Sequence, residues 1–240
     1  MNGTTIALVT GANKGIGYEI AAGLGALGWR VGVGARDDAR RDEAVEKLRA
    51  AGVDAFGVPL DVTDDASVTA AAAQLEREGG LDVLVNDAGI TGGVPQEPTL
   101  VDPATIREVV ETNVIGVVRL TNAVLPLLRR SAAPRIVNMS SSVGPLTRQT
   151  DPQGETGPIS GAYSPSKSFL TAMTVQYAKE LHDTPILVNA ACPGYVATDL
   201  NGHRGHRTPE QGAAIAIRLA QLPSDGPTGG IFDDGGVVPW

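Results

Sequence analysis

The sequence predicts an α/β fold, a doubly wound parallel sheet of seven strands flanked by helices. Short apolar runs rich in β-branched residues alternate with longer helical patterns along the chain. Aromatic residues are only 4% of the 240 residues, so the core must be built from aliphatic side chains, which suits strands buried on both faces. No linker, repeat or low-complexity segment divides the chain, and residues 1–240 are expected to form a single domain.

Strands are expected where short apolar or β-branched runs stand between turn residues. In chain order these runs are residues 5–10, 30–35, 53–60, 81–85, 135–139, 186–191 and 230–232. Helices are expected between them, where apolar residues recur at helical spacing or opposite charges stand four apart. In chain order these are residues 15–27, 38–51, 64–78, 103–130, 164–181 and 209–222. Their strict alternation requires right-handed crossovers and hence a parallel sheet.

Several local signals concern helix ends and loops. Thr63 is expected to cap the third helix, and Asp102 to cap the fourth, because its oxygen accepts from the first-turn N–H groups. Pro126 should kink or shorten that fourth helix. Two unusually long loops, residues 144–160 and 194–208, follow strands at the edge where open α/β sheets bind ligands.

Charge and composition exclude several classes of protein. The formal net charge of −8 argues against nucleic acid or an anionic membrane surface as a partner. No apolar run approaches the roughly 20 residues of a membrane span, and no signal peptide is recognisable. The single cysteine, Cys192, lies in an apolar run, which predicts a buried thiol and a reducing compartment. His203 and His206 lack companion ligands, so no metal is expected. These features predict a cytoplasmic protein.

A glycine-rich loop separates the first strand from the first helix. Gly11 allows a tight turn, while Gly15 and Gly17 let the backbone and a helix N-terminus approach a pyrophosphate. The free N–H groups and the helix dipole at this point favour anions. A dinucleotide is therefore expected at this end of the sheet, as in a Rossmann fold.

Tyr163 and Lys167 stand four residues apart on a predicted helix and so share one face. An ammonium group beside the phenol is expected to lower the pKa of Tyr163 from about 10 toward neutral. Such a tyrosine moves a proton at physiological pH next to a bound nucleotide. The pair therefore predicts hydride-transfer chemistry.

The order and spacing of these segments resemble the short-chain dehydrogenase/reductase family. The likeness covers essentially the whole chain and is carried by residues 10–17, 86–89, 113, 138–144, 163–167 and 193–198. Residues 13–19 and 192–202 are similar to those of carbonyl, menthone and salutaridine reductases. Those enzymes carry a long insertion before the tyrosine. Here only 22 residues separate Ser141 from Tyr163, so the insertion is mostly trimmed.

The resemblance implies roles for four residues. Tyr163 would be the general acid that protonates a carbonyl oxygen, and Ser141, chosen among three adjacent serines on the family's spacing, would donate to the same oxygen. Lys167 would bind the nicotinamide ribose and depress the tyrosine pKa. Asn113 would hold a water that links Lys167 to solvent. Asp87 departs from the family pattern, which has a second asparagine there, and its position is expected to be structural.

The resemblance also implies NADP(H) as cofactor. The family's NAD-selecting acid aligns with Ala35, whereas Arg36 and Lys14 occupy the two basic positions of NADP-selecting members. Asp37 lies within the window of an NAD-selecting acid and is the competing determinant, although it is expected to face solvent or pair with a neighbouring arginine. The cofactor-binding residues so implied are Gly11, Asn13, Lys14, Gly15, Ile16, Gly17, Arg36, Asp61, Val62, Asn86, Ala88, Gly89, Tyr163, Lys167, Pro193, Gly194, Val196 and Thr198.

The function expected from this resemblance is NADPH-dependent reduction of a small or medium ketone or aldehyde. Two alternatives remain open: an NAD-linked alcohol dehydrogenase, and a catalytically silent relative that senses NADP. A small-molecule carbonyl or alcohol is the expected partner. A homodimer or homotetramer is also expected, because the insertion that blocks helix pairing in monomeric relatives is largely missing.

Overall fold

The computed structural model describes residues 4–151 and 157–240. These residues form a central sheet of eight strands. The sheet order is β3-β2-β1-β4-β5-β6-β7-β8. In chain order the strands are β1 (Ile6–Thr10), β2 (Arg30–Ala35), β3 (Ala55–Pro59), β4 (Val83–Asn86), β5 (Arg135–Met139), β6 (Leu187–Ala191), β7 (Ile231–Asp233) and β8 (Gly236–Val237). The α/β doubly wound prediction is confirmed.

Strand order reverses at the centre of the sheet. Val9 of β1 pairs with Val33 of β2 on one side and with Val85 of β4 on the other, all three strands running parallel. The crossover helices leave in opposite directions from these strands, so a crevice opens beyond their carboxyl ends. Thr10 ends β1 and Asn86 ends β4, which places both residues at that crevice.

The prediction of seven parallel strands is wrong at the chain's end. Gly236 and Val237 form an eighth strand that pairs antiparallel with β7. A carboxylate oxygen of Asp233 accepts a hydrogen bond from Gly235 N–H at 2.9 Å in the connecting turn. Two residues are too few to show an alternating pattern, which is why the sequence did not predict this strand.

Eight α-helices lie within the described residues: α1 (Gly15–Ala26), α2 (Asp38–Ala50), α3 (Asp65–Arg77), α4 (Pro103–Val110), α5 (Gly116–Leu128), α6 (Leu146–Gln149), α7 (Tyr163–Glu180) and α8 (Pro209–Ala220). Helices α1, α2 and α8 bury aliphatic side chains against one face of the sheet. Helices α3, α5 and α7 do so against the other face. None of the described helices is long and apolar enough to cross a membrane.

Two predicted helix signals need correction. Asp64, rather than Thr63, caps α3 by accepting from Ser67 N–H at 2.6 Å, while Thr63 bonds back to Asp61. The helix expected over residues 103–130 is interrupted by a π-helical turn at Glu111–Ile115 and continues through Pro126, ending at Leu128. Pro126 falls in the last turn of the helix, which ends two residues later. Asp102 caps α4 through Ala104 N–H at 2.7 Å, as predicted.

The long loops contain short helices that the sequence did not predict. Helix α6 lies in the first loop, of which residues 152–156 are outside the described residues. A 3-10 helix at Asp199–Asn201 lies in the second loop, capped reciprocally by Thr198 and Asn201. Both segments are shorter than the windows in which helical periodicity is detectable.

Candidate active site

The glycine-rich loop brings three backbone segments into close contact. Gly15 has a φ of +58°, and it begins α1. A Cβ at Gly17 would lie 2.6 Å from the Asp87 carboxylate and 2.8 Å from the Gly11 carbonyl oxygen. A side chain at this position would therefore fill the space between the loop and the end of β4. Ala88 closes the same space, with its Cα 3.0 Å from a Cβ built at Gly11.

This arrangement fits a dinucleotide pyrophosphate. The N-cap of α1, Lys14, makes no side-chain capping bond, so the first-turn N–H groups of Gly15 and Ile16 remain available to an anion. Asn13 lies half-buried on the preceding turn. Thr10 holds the opposite wall, because its hydroxyl accepts from Asp87 N–H and Ala88 N–H, both at 2.9 Å.

The adenosine end of the predicted cofactor site lies beyond β2 and β3. Arg36 follows β2, is exposed and makes no hydrogen bond or ion pair within the described residues. Asp61 follows β3 and accepts from the Thr63 backbone and hydroxyl at 2.9 and 2.7 Å. Those bonds lower the pKa of Asp61, and Arg36 contributes in the same direction, so the two side chains lie near each other. Val62, the next residue, is buried.

Asp37 is engaged elsewhere, as the sequence indicated. Its carboxylate caps α2 by accepting from Arg40 N–H at 3.0 Å, and it lies 3.6 Å from Arg40 Nε. A carboxylate committed to a helix N-terminus and an arginine has less capacity to accept bonds from ribose hydroxyls. Arg36 is therefore the charged group at the end of β2 that remains available.

The loop at residues 194–208 folds onto the glycine-rich loop. Thr198 Cγ2 would be 3.6 Å from a Cβ at Gly15, and Lys14 Nζ lies 2.5 Å from an Asp199 carboxylate oxygen. The other oxygen of Asp199 is 2.8 Å from His203 Nε2. Lys14, one of the two predicted phosphate ligands, thus already has an anionic partner. Of the predicted cofactor contacts, Pro193 directly precedes this loop, and Gly194 and Val196 lie at its start.

Asn86 uses its side chain inside the protein. Its amide donates to Asn138 Oδ1 at 2.8 Å and to the Thr121 hydroxyl at 3.4 Å. Asn138 in turn donates to Thr174 at 2.9 Å, so a buried polar chain joins β4, β5 and α7. The side-chain nitrogen of Asn86 is thereby directed away from the crevice. Gly89 lies three residues further along the chain, and a Cβ built on it would lie 3.7 Å from Lys167 Nζ.

Asn113 lies buried in the π-helical turn, and both Oδ1 and Nδ2 of its side chain form hydrogen bonds. Its Oδ1 accepts from Ile90 N–H at 2.8 Å, and its Nδ2 donates to the Ile90 carbonyl at 2.9 Å and to Ser166 Oγ at 3.0 Å. Ser166 donates in turn to the Tyr163 carbonyl at 2.6 Å. Asn113 therefore fixes the first turn of α7. The water that Asn113 is expected to hold stays a prediction.

Tyr163, Lys167 and Ser141 converge where β5 meets the start of α7. The Ser141 side chain lies close to the Tyr163 phenol and acts to lower its pKa. Lys167 Nζ lies 5.6 Å from the centre of the Tyr163 ring and donates to the Met139 carbonyl at 2.6 Å. The structure thus brings the predicted serine, tyrosine and lysine together beside the glycine-rich loop.

The predicted lowering of the tyrosine pKa is wrong in this structure. Burial raises the pKa of Tyr163 to about 12, and Ser141 offsets only part of that rise. Burial lowers the pKa of Lys167 to about 8. The physical reason is desolvation of the phenol, while the Lys167 ammonium group is directed at the Met139 carbonyl and makes no contribution to the shift. Tyr163 is consequently a protonated acid at neutral pH.

Sequence reasoning missed two residues that shape the site. Burial raises the pKa of Asp87 to about 7, against the opposing influence of the Lys167 ammonium and the Gly17 N–H. Gln96 joins the two sides of the cleft: its backbone carbonyl accepts from Gly161 N–H at 2.7 Å, and its amide donates to the Thr91 and Gly93 carbonyls at 3.0 and 2.7 Å. The Asp87 departure from the family's asparagine was a visible signal, whereas nothing in the sequence distinguished Gln96.

The surroundings of Cys192 and His206 indicate structural roles for these residues. Cys192 is buried, as predicted, and burial raises the pKa of its thiol to about 11. His206 packs its ring 6.1 Å from that of Tyr195. Within residues 4–151 and 157–240, no three His, Cys, Asp or Glu side chains are grouped closely enough to hold a metal ion.

Comparison with known proteins identifies the family. The model of the short chain dehydrogenase family matches residues 5–208. The chain belongs to this family. It is similar to carbonyl reductase [NADPH] 1 of Mus musculus, 34% identical over 275 residues that cover 98% of each chain. That alignment is longer than the 240 residues present here, as expected if the relatives carry an insertion that this chain lacks.

Two solved structures show the same architecture. Salutaridine reductase from Papaver somniferum is 31% identical with a TM-score of 0.82, over 96% of this chain and 99% of the other. A variant of actinorhodin polyketide ketoreductase with NADPH is 32% identical with a TM-score of 0.85, over 96% and 95%. The resemblance to the carbonyl-reductase-like branch of the short-chain dehydrogenases/reductases is thereby confirmed. Members of this family bind a nicotinamide cofactor.

Proposed function

We propose that the protein is an NADPH-dependent reductase of small or medium ketones or aldehydes. One observation carries the proposal: Ser141, Tyr163 and Lys167 converge beside the glycine-rich loop, where a helix N-terminus is open to an anion and burial keeps the phenol protonated at neutral pH. A site with a proton donor, a second donor and a pyrophosphate cradle suits delivery of a proton to a carbonyl oxygen.

Different residues of the site bind the cofactor and transfer the proton. NADPH, when bound, supplies the hydride. Ser141 and Tyr163 both hold the carbonyl oxygen, and Tyr163 gives it a proton as negative charge develops there. Lys167, anchored by the Met139 carbonyl, binds the ribose and keeps a positive charge near the phenol. Asn113 acts indirectly, because it fixes the turn from which Tyr163 projects.

The preference for NADPH rests on Arg36. Its guanidinium has no partner in the described residues, and Ala35 leaves no carboxylate to repel a 2′-phosphate. The relatives support this choice: the mouse carbonyl reductase is named for NADPH, and the actinorhodin ketoreductase was crystallised with it. The remaining predicted cofactor contacts are Gly11, Asn13, Lys14, Gly15, Ile16, Gly17, Asp61, Val62, Asn86, Ala88, Gly89, Pro193, Gly194, Val196 and Thr198.

Two other functions are distinguished by one assay. Nucleotide consumption is measured with NADPH and with NADH across a panel of ketones, aldehydes and quinones, and ranked by kcat/KM. Carbonyl-dependent oxidation of NADPH supports the proposal. Equal efficiency with NADH would favour an NAD-linked alcohol dehydrogenase with Asp37 as determinant. Tight NADP binding without any carbonyl-dependent turnover would favour a silent sensor.

Assembly and location follow as parts of the same proposal. We propose a homodimer or homotetramer, and exposed apolar side chains on the relevant helices support it, namely Ile115 in the π-helical turn and Phe169 on α7. A reducing, cytoplasmic location is supported by the one cysteine, which is buried and unpaired.

A further inference from the structure

The amide nitrogen of Gln96 closes the loop that follows β4. Its Nε2 donates to the carbonyl oxygens of Thr91 at 3.0 Å and of Gly93 at 2.7 Å. An amide nitrogen carries two hydrogens, so these two bonds use both of them. The half-buried side chain thereby holds the loop in a tight turn around itself.

The oxygen atoms of Gln96 bind the segment that leads into α7. Its Oε1 accepts from the Ser160 hydroxyl at 3.0 Å and from Ala162 N–H at 3.4 Å. Its backbone carbonyl accepts from Gly161 N–H at 2.7 Å. A Cβ at Gly161 would lie only 3.1 Å from that carbonyl oxygen, so the two backbones are in close contact. Gln96 thus bonds to the three consecutive residues directly before Tyr163.

The same bonds act in place of an N-terminal cap on α7. Ala162, the N-cap residue, makes no side-chain capping bond. Ser160 Oγ instead accepts from Ser164 N–H in the first helical turn at 3.1 Å, while it donates to Gln96 Oε1. The turn from which Tyr163 projects is therefore held by a side chain of the loop after β4.

The loop after β4 is attached to this helical turn at a second point. Asn113 bonds to the backbone N–H and carbonyl of Ile90 and donates to Ser166, which donates to the Tyr163 carbonyl. Ile90 and Gln96 therefore anchor the two ends of one loop segment to the start of α7. The relative position of loop and helix is fixed only when both anchors are in place.

We propose that Gln96 is a positioning residue for the proton donor, which it sets in place by joining the start of α7 to the loop after β4. The inference rests on the proposed reductase function for its kinetic consequence. A small displacement of a catalytic group lowers turnover by up to about a hundredfold. The pyrophosphate and adenosine of NADPH are expected to be bound after β1, β2 and β3, so NADPH affinity should change little without Gln96.

The first experiment measures the anchor directly, without substrate or nucleotide. Gln96→Ala keeps the backbone carbonyl that accepts from Gly161 N–H, so the exchange rate of this amide reports whether the side chain holds the two segments together. Measured by NMR, Gly161 N–H should exchange about tenfold faster or more than in wild type. Gln74→Ala is the matched control, because it removes another half-buried glutamine, which donates to the Gly57 carbonyl of β3 at 2.9 Å, and it should leave Gly161 unchanged.

The kinetic consequence is tested with the same variants and a ketone that the wild type reduces. In Gln96→Ala, kcat should fall about tenfold or more while the Kd for NADPH stays close to wild type. Gln96→Glu keeps an oxygen that accepts from Ser160 and Ala162 but loses the donor to Thr91 and Gly93. Its kcat should therefore lie between those of wild type and Gln96→Ala.

Three results would overturn the proposal: unchanged Gly161 exchange in Gln96→Ala, an unchanged kcat in that variant, or a kcat in Gln96→Glu no higher than in Gln96→Ala. If the wild-type protein reduces no carbonyl, the proposed function fails. The exchange measurement still decides in that case whether Gln96 anchors the start of α7.

Discussion

The chemistry of single residues in this site is set by burial more than by neighbouring charge. Desolvation raises the pKa of Tyr163 to about 12 and lowers that of Lys167 to about 8, so the phenol is an acid and the lysine is close to losing its proton at neutral pH. A protonated tyrosine suits carbonyl reduction, the direction in which the enzyme must give a proton. Ser141 acts in the opposite direction and offsets part of the rise in the pKa of Tyr163.

The pH dependence of reduction follows from these two groups. Tyr163 keeps its proton up to a pH well above neutral, so it does not limit activity there. Lys167 is charged below its pKa of about 8 and neutral above it. We expect kcat/KM for carbonyl reduction to fall as the pH rises through about 8. A profile that stays flat to pH 10 would show that the lysine charge is not required.

We predict that cofactor selectivity also depends on one side chain, Arg36. Arg36→Ala should raise the KM for NADPH about tenfold or more, since hydrogen bonds to charged groups contribute roughly 1.5–3 kcal/mol. The KM for NADH should hardly change. Arg129→Ala is the matched control, because it removes an exposed guanidinium at the end of α5, just before β5 and so near the opposite edge of the sheet. Equal losses for both nucleotides in Arg36→Ala would contradict the assignment.

At the scale of elements, the site is assembled by loops that hold one another. The 194–208 loop rests on the glycine-rich loop through the pair Lys14–Asp199, and Gln96 ties the loop after β4 to the start of α7. The π-helical turn between α4 and α5 fixes α7 through Asn113 and Ser166. These contacts determine how the cofactor ligands and the proton donor face each other.

We predict that the Lys14–Asp199 ion pair competes with the 2′-phosphate of NADPH for the same ammonium group. Asp199→Asn should therefore lower the KM for NADPH, by up to about fivefold, because exposed ion pairs contribute at most about 1 kcal/mol. The KM for NADH should not respond. Asp183→Asn, an exposed change far from the loop, serves as control. A raised KM for NADPH in Asp199→Asn would show instead that the pair holds the loop closed over the cofactor.

Sequence patterns were sufficient to predict the elements that bury long apolar runs. They failed where a single hydrogen bond determines a helix cap or where burial determines a charge state. The strands β1 to β7 and the convergence of Tyr163, Lys167 and Ser141 were predictable from periodicity and motif order. The choice of Asp64 over Thr63 as cap depends on which oxygen reaches Ser67 N–H. The charge state of Tyr163 depends on burial, which spacing along a helix does not report.

The assembly of the whole molecule is a further prediction. In the family, the long helix that carries Asn113 and the helix that carries Tyr163 commonly pair with their copies across a twofold axis, and Phe169 on α7 is exposed. Light scattering should give two or four times the chain mass of 24.7 kDa. Phe169→Glu should shift the protein toward monomer, whereas Leu27→Glu, equally exposed at the end of α1, should not. A wild-type mass of one chain would contradict the prediction.

The central claim is that Tyr163 transfers the proton, and one comparison tests it most directly. NADPH consumption is measured for wild type, Tyr163→Phe and Tyr177→Phe with a ketone that the wild type reduces. Tyr163→Phe keeps the ring but removes the proton, so turnover should fall at least about a hundredfold while NADPH affinity changes little. Tyr177→Phe removes a hydroxyl on the same helix whose hydrogen bonds, among the residues that the structure describes, go to Asn122 and the Val118 carbonyl, and it should retain activity. Near-wild-type turnover in Tyr163→Phe would contradict the account.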